Sequence, residues 1–197
     1  MLVFWKPKLV FLATPKTGTV AIEAALEQMA EVSFSRPAPL KHTTVGNYYQ
    51  YLHPYLAAVS GETFDVVALI REPRDWLGSW YRFGQSEALA ETEKSTRGLS
   101  FDEFVQAYCS DVRPKFADVG SQWEFLRPIS GRWINSLFRY EDIGAFVHFL
   151  EDRLDCEINL PRLNVSPPGS LELTRKTEDL LHAFVARDFD LYRTLKP

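Results

Sequence analysis

Residues 9–14, LVFLAT, are continuously apolar, and within the next five residues, PKTGT, the chain changes to a helical repeat. A run that short and that apolar suits a strand buried on both faces, the usual setting of a parallel strand. Ile22, Ala25, Leu26, Met29 and Ala30 then fall at i, i+3, i+4, i+7 and i+8. That spacing predicts one stripe of an amphipathic helix beginning near Thr17 or Gly18. The stretch is therefore strand, tight loop, helix, and the loop carries a lysine, a glycine and two threonines.

The pattern returns twice. DVVALIR (65–71) repeats the buried-strand signature, EPRD turns the chain, and Trp76, Trp80 and Phe83 mark one face of a second helix. WINSLFR (133–139) is a third strand candidate, followed by a helix that Asp142 can cap and that carries Ile143, Phe146, Val147 and Leu150. Between these units, Ser100 and Glu103 form a capping box that starts a helix near residue 100. The polar, aperiodic stretch 84–99 reads as an exposed or mobile loop, and 161–170 as a second irregular segment. A last helix is predicted over about 174–189, with Leu180, Leu181, Phe184 and Val185 facing inward. Alternating strands and helices predict an α/β fold. The 197 residues, 46% of them hydrophobic, are enough for one well-buried domain covering 1–197.

Charge and cysteine content narrow the function. A formal charge of -4 disfavours a non-specific nucleic-acid binder or a coat for anionic membranes, so an anion site here must be local. Cys109 and Cys156 are the only thiols and show no metal-ligand spacing, which argues against a disulfide scaffold or a zinc site and for a reducing, cytoplasmic setting. The apolar start MLVFW is interrupted by KPK, too soon for a secretory leader or a membrane span.

The loops carry the chemistry. A glycine-bearing loop between a buried strand and a helix presents backbone N–H groups at the positive end of the helix dipole, where a phosphate or sulfate binds. Lys16 adds a full charge, Thr17 and Thr19 add hydroxyls, and Gly18 lets the backbone approach the anion. Arg71 leaves the end of the second strand, where ligands of open α/β sheets bind, and its planar fork suits a phosphate. Ser79, inside the following helix, is placed to add a hydroxyl. A nucleoside-triphosphate P-loop does not fit: no glycine precedes Gly18, Thr19 stands where that loop needs lysine, and no strand ends in an aspartate for Mg²⁺.

TPKTGT after the first strand resembles the 5′-phosphosulfate loop of the PAPS-dependent sulfotransferases. REPRDWLGSWY resembles their 3′-phosphate motif, an arginine at the strand end with a serine eight residues on. RYEDI after the third strand and the tail LNVSPPGS…DLLHAFVARDFDLY are similar to weaker features of that family. The resemblance implies a three-layer α/β/α arrangement with a central, mostly parallel sheet, the P-loop-like sulfotransferase fold. It implies an enzyme that moves a sulfuryl group from 3′-phosphoadenosine 5′-phosphosulfate (PAPS) to a hydroxyl or amine of a small-molecule or glycan acceptor, with adenosine 3′,5′-bisphosphate (PAP) as product and no metal. Lys16, Thr17, Gly18, Thr19 and Val20 would hold the 5′ end, Arg71 and Ser79 the 3′-phosphate, and Lys16 would also meet the leaving oxygen. His42 matches the family's general base, with Lys41 assisting and Glu23 or Glu62 as fallback bases.

The match has departures. Val20 and Ala21 stand where many members carry threonine and a tryptophan that stacks on adenine, and the basic Arg-Lys-Gly segment is missing as such. Arg162, Arg175-Lys176 or the LNVS loop are the candidates to replace part of it. Tyr48, Tyr49, Tyr51 and the 84–99 loop are acceptor-side candidates, set against plain helix packing. The alternatives are a P-loop kinase-like phosphotransferase using ATP and Mg²⁺, and a non-catalytic nucleotide sensor on the same fold.

Overall fold

The computed structural model describes residues 1–161 and 170–195. The helices of eight residues or more are Thr19–Leu26 (α1), His53–Ser60 (α2), Pro73–Gly84 (α3), Phe101–Tyr108 (α4), Ile143–Leu154 (α5), Arg175–Phe184 (α6) and Ala186–Thr194 (α7). Five strands, Leu2–Phe4 (β1), Leu9–Leu12 (β2), Val32–Ser33 (β3), Asp65–Ile70 (β4) and Ser136–Arg139 (β5), form one sheet in the order β3-β1-β2-β4-β5. The fold is α/β.

The three strands read from the sequence are β2, β4 and β5, and they pair in parallel. The sheet as a whole is mixed rather than mostly parallel, because β1 pairs antiparallel with both β2 and β3. The KPK interruption is the turn of the β1–β2 hairpin: Lys8 N–H donates to the Trp5 carbonyl, with Lys8 at φ 51°. MLVFW is thus an inner strand of the sheet, and Leu2 and Phe4 are buried.

The described residues form two compact units. One holds 1–71 together with Gln122 onward through α5; the other holds 72–121 with α6 and α7. In the first, alternate residues Leu2 and Phe4, Leu9, Phe11 and Ala13, and Val67 and Leu69 face one side, as the two-residue period of a strand requires. They pack with Ile22 and Leu26 of α1 and with Phe146 and Leu150 of α5. The α1 stripe read from the sequence is therefore the core face, although the helix starts at Thr19 and its last predicted positions lie past its end. Asp142 precedes α5 as expected but makes no side-chain cap bond.

The second unit has its own core of Trp76, Tyr81, Phe104, Tyr108, Leu181 and Phe189, among others. The capping box is present: Ser100 Oγ accepts from Glu103 N–H, and the Glu103 carboxylate accepts from Ser100 N–H at 2.7 Å. Segment 84–99 is exposed along most of its length, as read, and is tied down at Thr96, which is fully buried, with its N–H bonding the Gly84 carbonyl at 3.0 Å and its hydroxyl the Tyr81 carbonyl at 2.7 Å. One expectation needs correction. The last helix is two helices that break at Val185, where φ −110° and ψ 35° end α6; Leu181 and Val185 are buried while Leu180 and Phe184 are exposed. Arg162 and nearly all of LNVSPPGS lie outside the described residues. No described helix is long and apolar enough to cross a membrane.

Candidate functional site

Parallel pairing brings the carboxyl ends of β2, β4 and β5 to one edge of the sheet. The register runs Leu12↔Ala68 and Ile70↔Arg139. Just past the strand ends, Arg71 meets Lys16 of the β2 loop and Tyr140 after β5. Pairing thus explains why residues more than fifty positions apart meet here.

The loop between β2 and α1 is tightly built. Thr14 and Thr17 are fully buried, and the Thr17 hydroxyl donates to the Thr14 carbonyl at 2.9 Å. That hydroxyl braces the loop from inside, so what Thr17 can offer an anion is its backbone N–H rather than the side-chain donor expected from the sequence. Lys16 sits at φ 66° and Gly18 at φ 73°, two left-handed residues within three positions. Glycine is favoured at 18 on two counts: its φ is positive, and a Cβ there would meet Tyr140 Cε2 at 3.0 Å, close enough that the ring would have to shift. Gly18 is the N-cap of α1 and, like Leu52 before α2 and Asp142 before α5, makes no side-chain cap bond, whereas Glu72, Ser100 and Thr174 cap α3, α4 and α6 with their side chains. Thr19 begins the helix buried, and Val20 follows it 43% exposed.

Arg71 closes the other side. Its Nη1 donates to the Lys16 carbonyl at 3.1 Å, and its guanidinium lies over the Tyr140 ring at 4.6 Å from the centroid. Tyr140 therefore touches the Arg71 fork and limits the space at Gly18. The Arg71 main chain is held by Gln122, whose side-chain oxygen accepts from Arg71 N–H and whose amide donates to the Arg71 carbonyl, both at 2.8 Å. Ser79 belongs to the other unit, nearly buried within α3.

His42 ends a short helix, Ala38–Lys41, and its Nδ1 lies 2.6 Å from the carbonyl oxygen of Ala13. A carbonyl only accepts, so Nδ1 carries the proton and Nε2 keeps its lone pair. Burial pushes the imidazole below its ordinary value of 6.5, against the Ala13 hydrogen bond, which favours the charged form. The histidine is thus fixed to the residue just before the loop, neutral near pH 7 and basic at Nε2. Its fallbacks are differently placed: Glu23, nearly buried in α1, pairs with Lys41 Nζ at 2.5 Å, and Glu62 is exposed, 3.4 Å from Lys8. Lys41 is accordingly committed to Glu23.

The acceptor-side aromatics divide. Tyr48 is fully buried, edge-on to Tyr49 at 5.1 Å, and the Tyr49 hydroxyl donates to the Trp133 carbonyl at 2.5 Å. Only Tyr51 is well exposed, at 64%. The described cleft next to this segment, about 180 Å³, is polar instead, with Thr44, Asn47, Gln50, Glu124 and Arg127 on its walls.

The structure thus brings Lys16, Thr17, Gly18, Thr19, Val20, Arg71 and His42 together around the end of β2. The sequence reading missed Gln122 and the contacts of Tyr140. Tyr140 had a signal, since RYEDI follows directly on a strand; Gln122 had none, because only the fold brings position 122 to position 71. Compared with known proteins, the chain matches no family model and no curated protein.

Proposed function

We propose that this protein is a sulfotransferase that takes a sulfuryl group from PAPS and delivers it to a hydroxyl or amine of a small-molecule or glycan acceptor. The observation that carries this reading is the bond from Arg71 Nη1 to the Lys16 carbonyl, at 3.1 Å. It joins a strand-end arginine to an anion loop, which suits one ligand with two anionic ends. The α/β fold with its parallel β2-β4-β5 core agrees with a three-layer, P-loop-like sulfotransferase architecture.

The donor set fits an adenosine bisphosphate. The start of α1 has no side-chain cap, Gly18 keeps the loop backbone clear of a Cβ, and Lys16 and Arg71 supply two cations from neighbouring strand ends. PAPS, when bound, supplies the activated sulfuryl group and a phosphate leaving group. The protein's own part is to hold and neutralise. The Thr17–Val20 amides and the Lys16 ammonium face charge that builds on the leaving oxygen, the kind of preorganised stabilisation that dominates such transfers. His42 Nε2 takes the proton an acceptor hydroxyl must lose, and the Ala13 carbonyl fixes the ring in that tautomer.

The test is transfer of labelled sulfuryl group from PAPS to a panel of alcohols, phenols, amines and glycans in the presence of a metal chelator. Labelled product that disappears with Lys16→Ala supports the reading. Transfer of phosphate from ATP that depends on Mg²⁺ would replace it with a kinase-like phosphotransferase.

A further inference from the structure

Gln122 opens the short helix Gln122–Leu126 and is fully buried, as is Leu126, with Phe125 nearly so. A buried carboxamide needs partners, and both ends of this one bond the main chain of Arg71. The orientation of the amide follows from those partners, because Arg71 N–H can only donate and its C=O can only accept. Along β4 the Asp65 main chain bonds toward β2 and the Val66 main chain toward β5, so position 71 faces the β2 side, and there Gln122 supplies a rung with a side chain in place of a strand.

The rung matters because of what Arg71 does. Its fork bonds the carbonyl of Lys16, a non-glycine residue at φ 66°. Left-handed backbone at such a residue is strained and persists only where its surroundings hold it. Gln122, Arg71 and Lys16 form a chain of contacts within the first unit, from a buried helix start to the anion loop.

We infer that Gln122 is a positioning residue: by fixing the Arg71 backbone it lets the guanidinium brace the 14–19 loop through the Lys16 carbonyl, so the loop's grip on an anion depends on a side chain that touches no ligand. This deepens the proposed function where the nucleotide is concerned, and the brace itself is testable without it.

The experiment compares wild type with Gln122→Met, which keeps length and apolar bulk and removes both bonds. Backbone amide resonances of Lys16–Thr19 are followed by NMR, alongside calorimetric titration with adenosine 5′-monophosphate, which carries only the loop-side phosphate. The expected result is a folded variant whose loop amides shift and whose affinity for the monophosphate falls about tenfold. Gln122→Glu, which keeps the acceptor for Arg71 N–H, should fall between the two. A purely structural glutamine would lower the melting temperature and leave loop amides and affinity unmoved, and that result overturns the inference. If wild type binds no nucleotide, the proposed function fails, and the loop shifts alone decide the brace. If Gln122→Met does not fold, Gln122→Glu decides: shifted Lys16–Thr19 amides support the inference and unshifted ones overturn it.

Discussion

Lys16 combines a charge at a strand end with a left-handed backbone, and the two properties separate by substitution. Lys16→Ala keeps the backbone penalty and removes the ammonium, so turnover should fall about 10²–10³-fold with little change in melting temperature. Lys16→Gly should lose the same activity while melting at an equal or higher temperature, because glycine adopts φ 66° without strain. Gly18→Ala has the opposite logic: a methyl at positive φ, 3.0 Å from Tyr140, should destabilise by about 1–2 kcal/mol in urea unfolding and weaken PAP binding. His42 sets the pH dependence. Its folded value lies below its ordinary 6.5, so between the two values the unfolded chain binds more protons than the native one. The His42 share of stability should therefore rise with pH through a window ending near 6.5, while the buried Met1 ammonium, pushed from 8.0 down to about 6, carries the rise on toward 8; His42→Gln should flatten only the lower part. The acidic limb of the turnover profile should lie below 6.5 for the same reason, since only neutral His42 can accept the proton.

Among the elements, those set by local chemistry were legible in the sequence and those set by distant contacts were not. The Ser100–Glu103 capping box closes within one turn, so its residues announce it. The buried runs of β2 and β4 show themselves because both faces need apolar residues. By contrast, β1 and β3 are three and two residues long, too short to show a period. The order of 84–99 rests on Thr96 reaching back to Tyr81 and Gly84, and nothing within a polar stretch signals that. Thr96→Val should cost about 1 kcal/mol in thermal unfolding, the worth of one buried hydroxyl bond. Gly84→Ala should cost more, since its methyl would sit 2.6 Å from Thr96 Cγ2 and 3.1 Å from the Lys94 carbonyl. In the site, Lys16, Gly18 and Arg71 were readable because loop and strand-end chemistry is written in neighbouring residues. Thr17's inward hydroxyl, Tyr140's stacking and Gln122's rung belong to the register of the sheet.

For the molecule as a whole, a formal charge of -4 means that no general basic field gathers anions. On the proposed reading, nucleotide affinity must come from a few groups at one edge of the sheet: Lys16, Arg71 and the amides that open α1. The most direct test is calorimetric titration of the protein with adenosine 3′,5′-bisphosphate in chelator, repeated on Lys16→Ala and Arg71→Ala. The account predicts one site per chain, formed without metal and weakened by each substitution. An undiminished affinity in both variants, or binding that appears only for ATP with Mg²⁺, would contradict it.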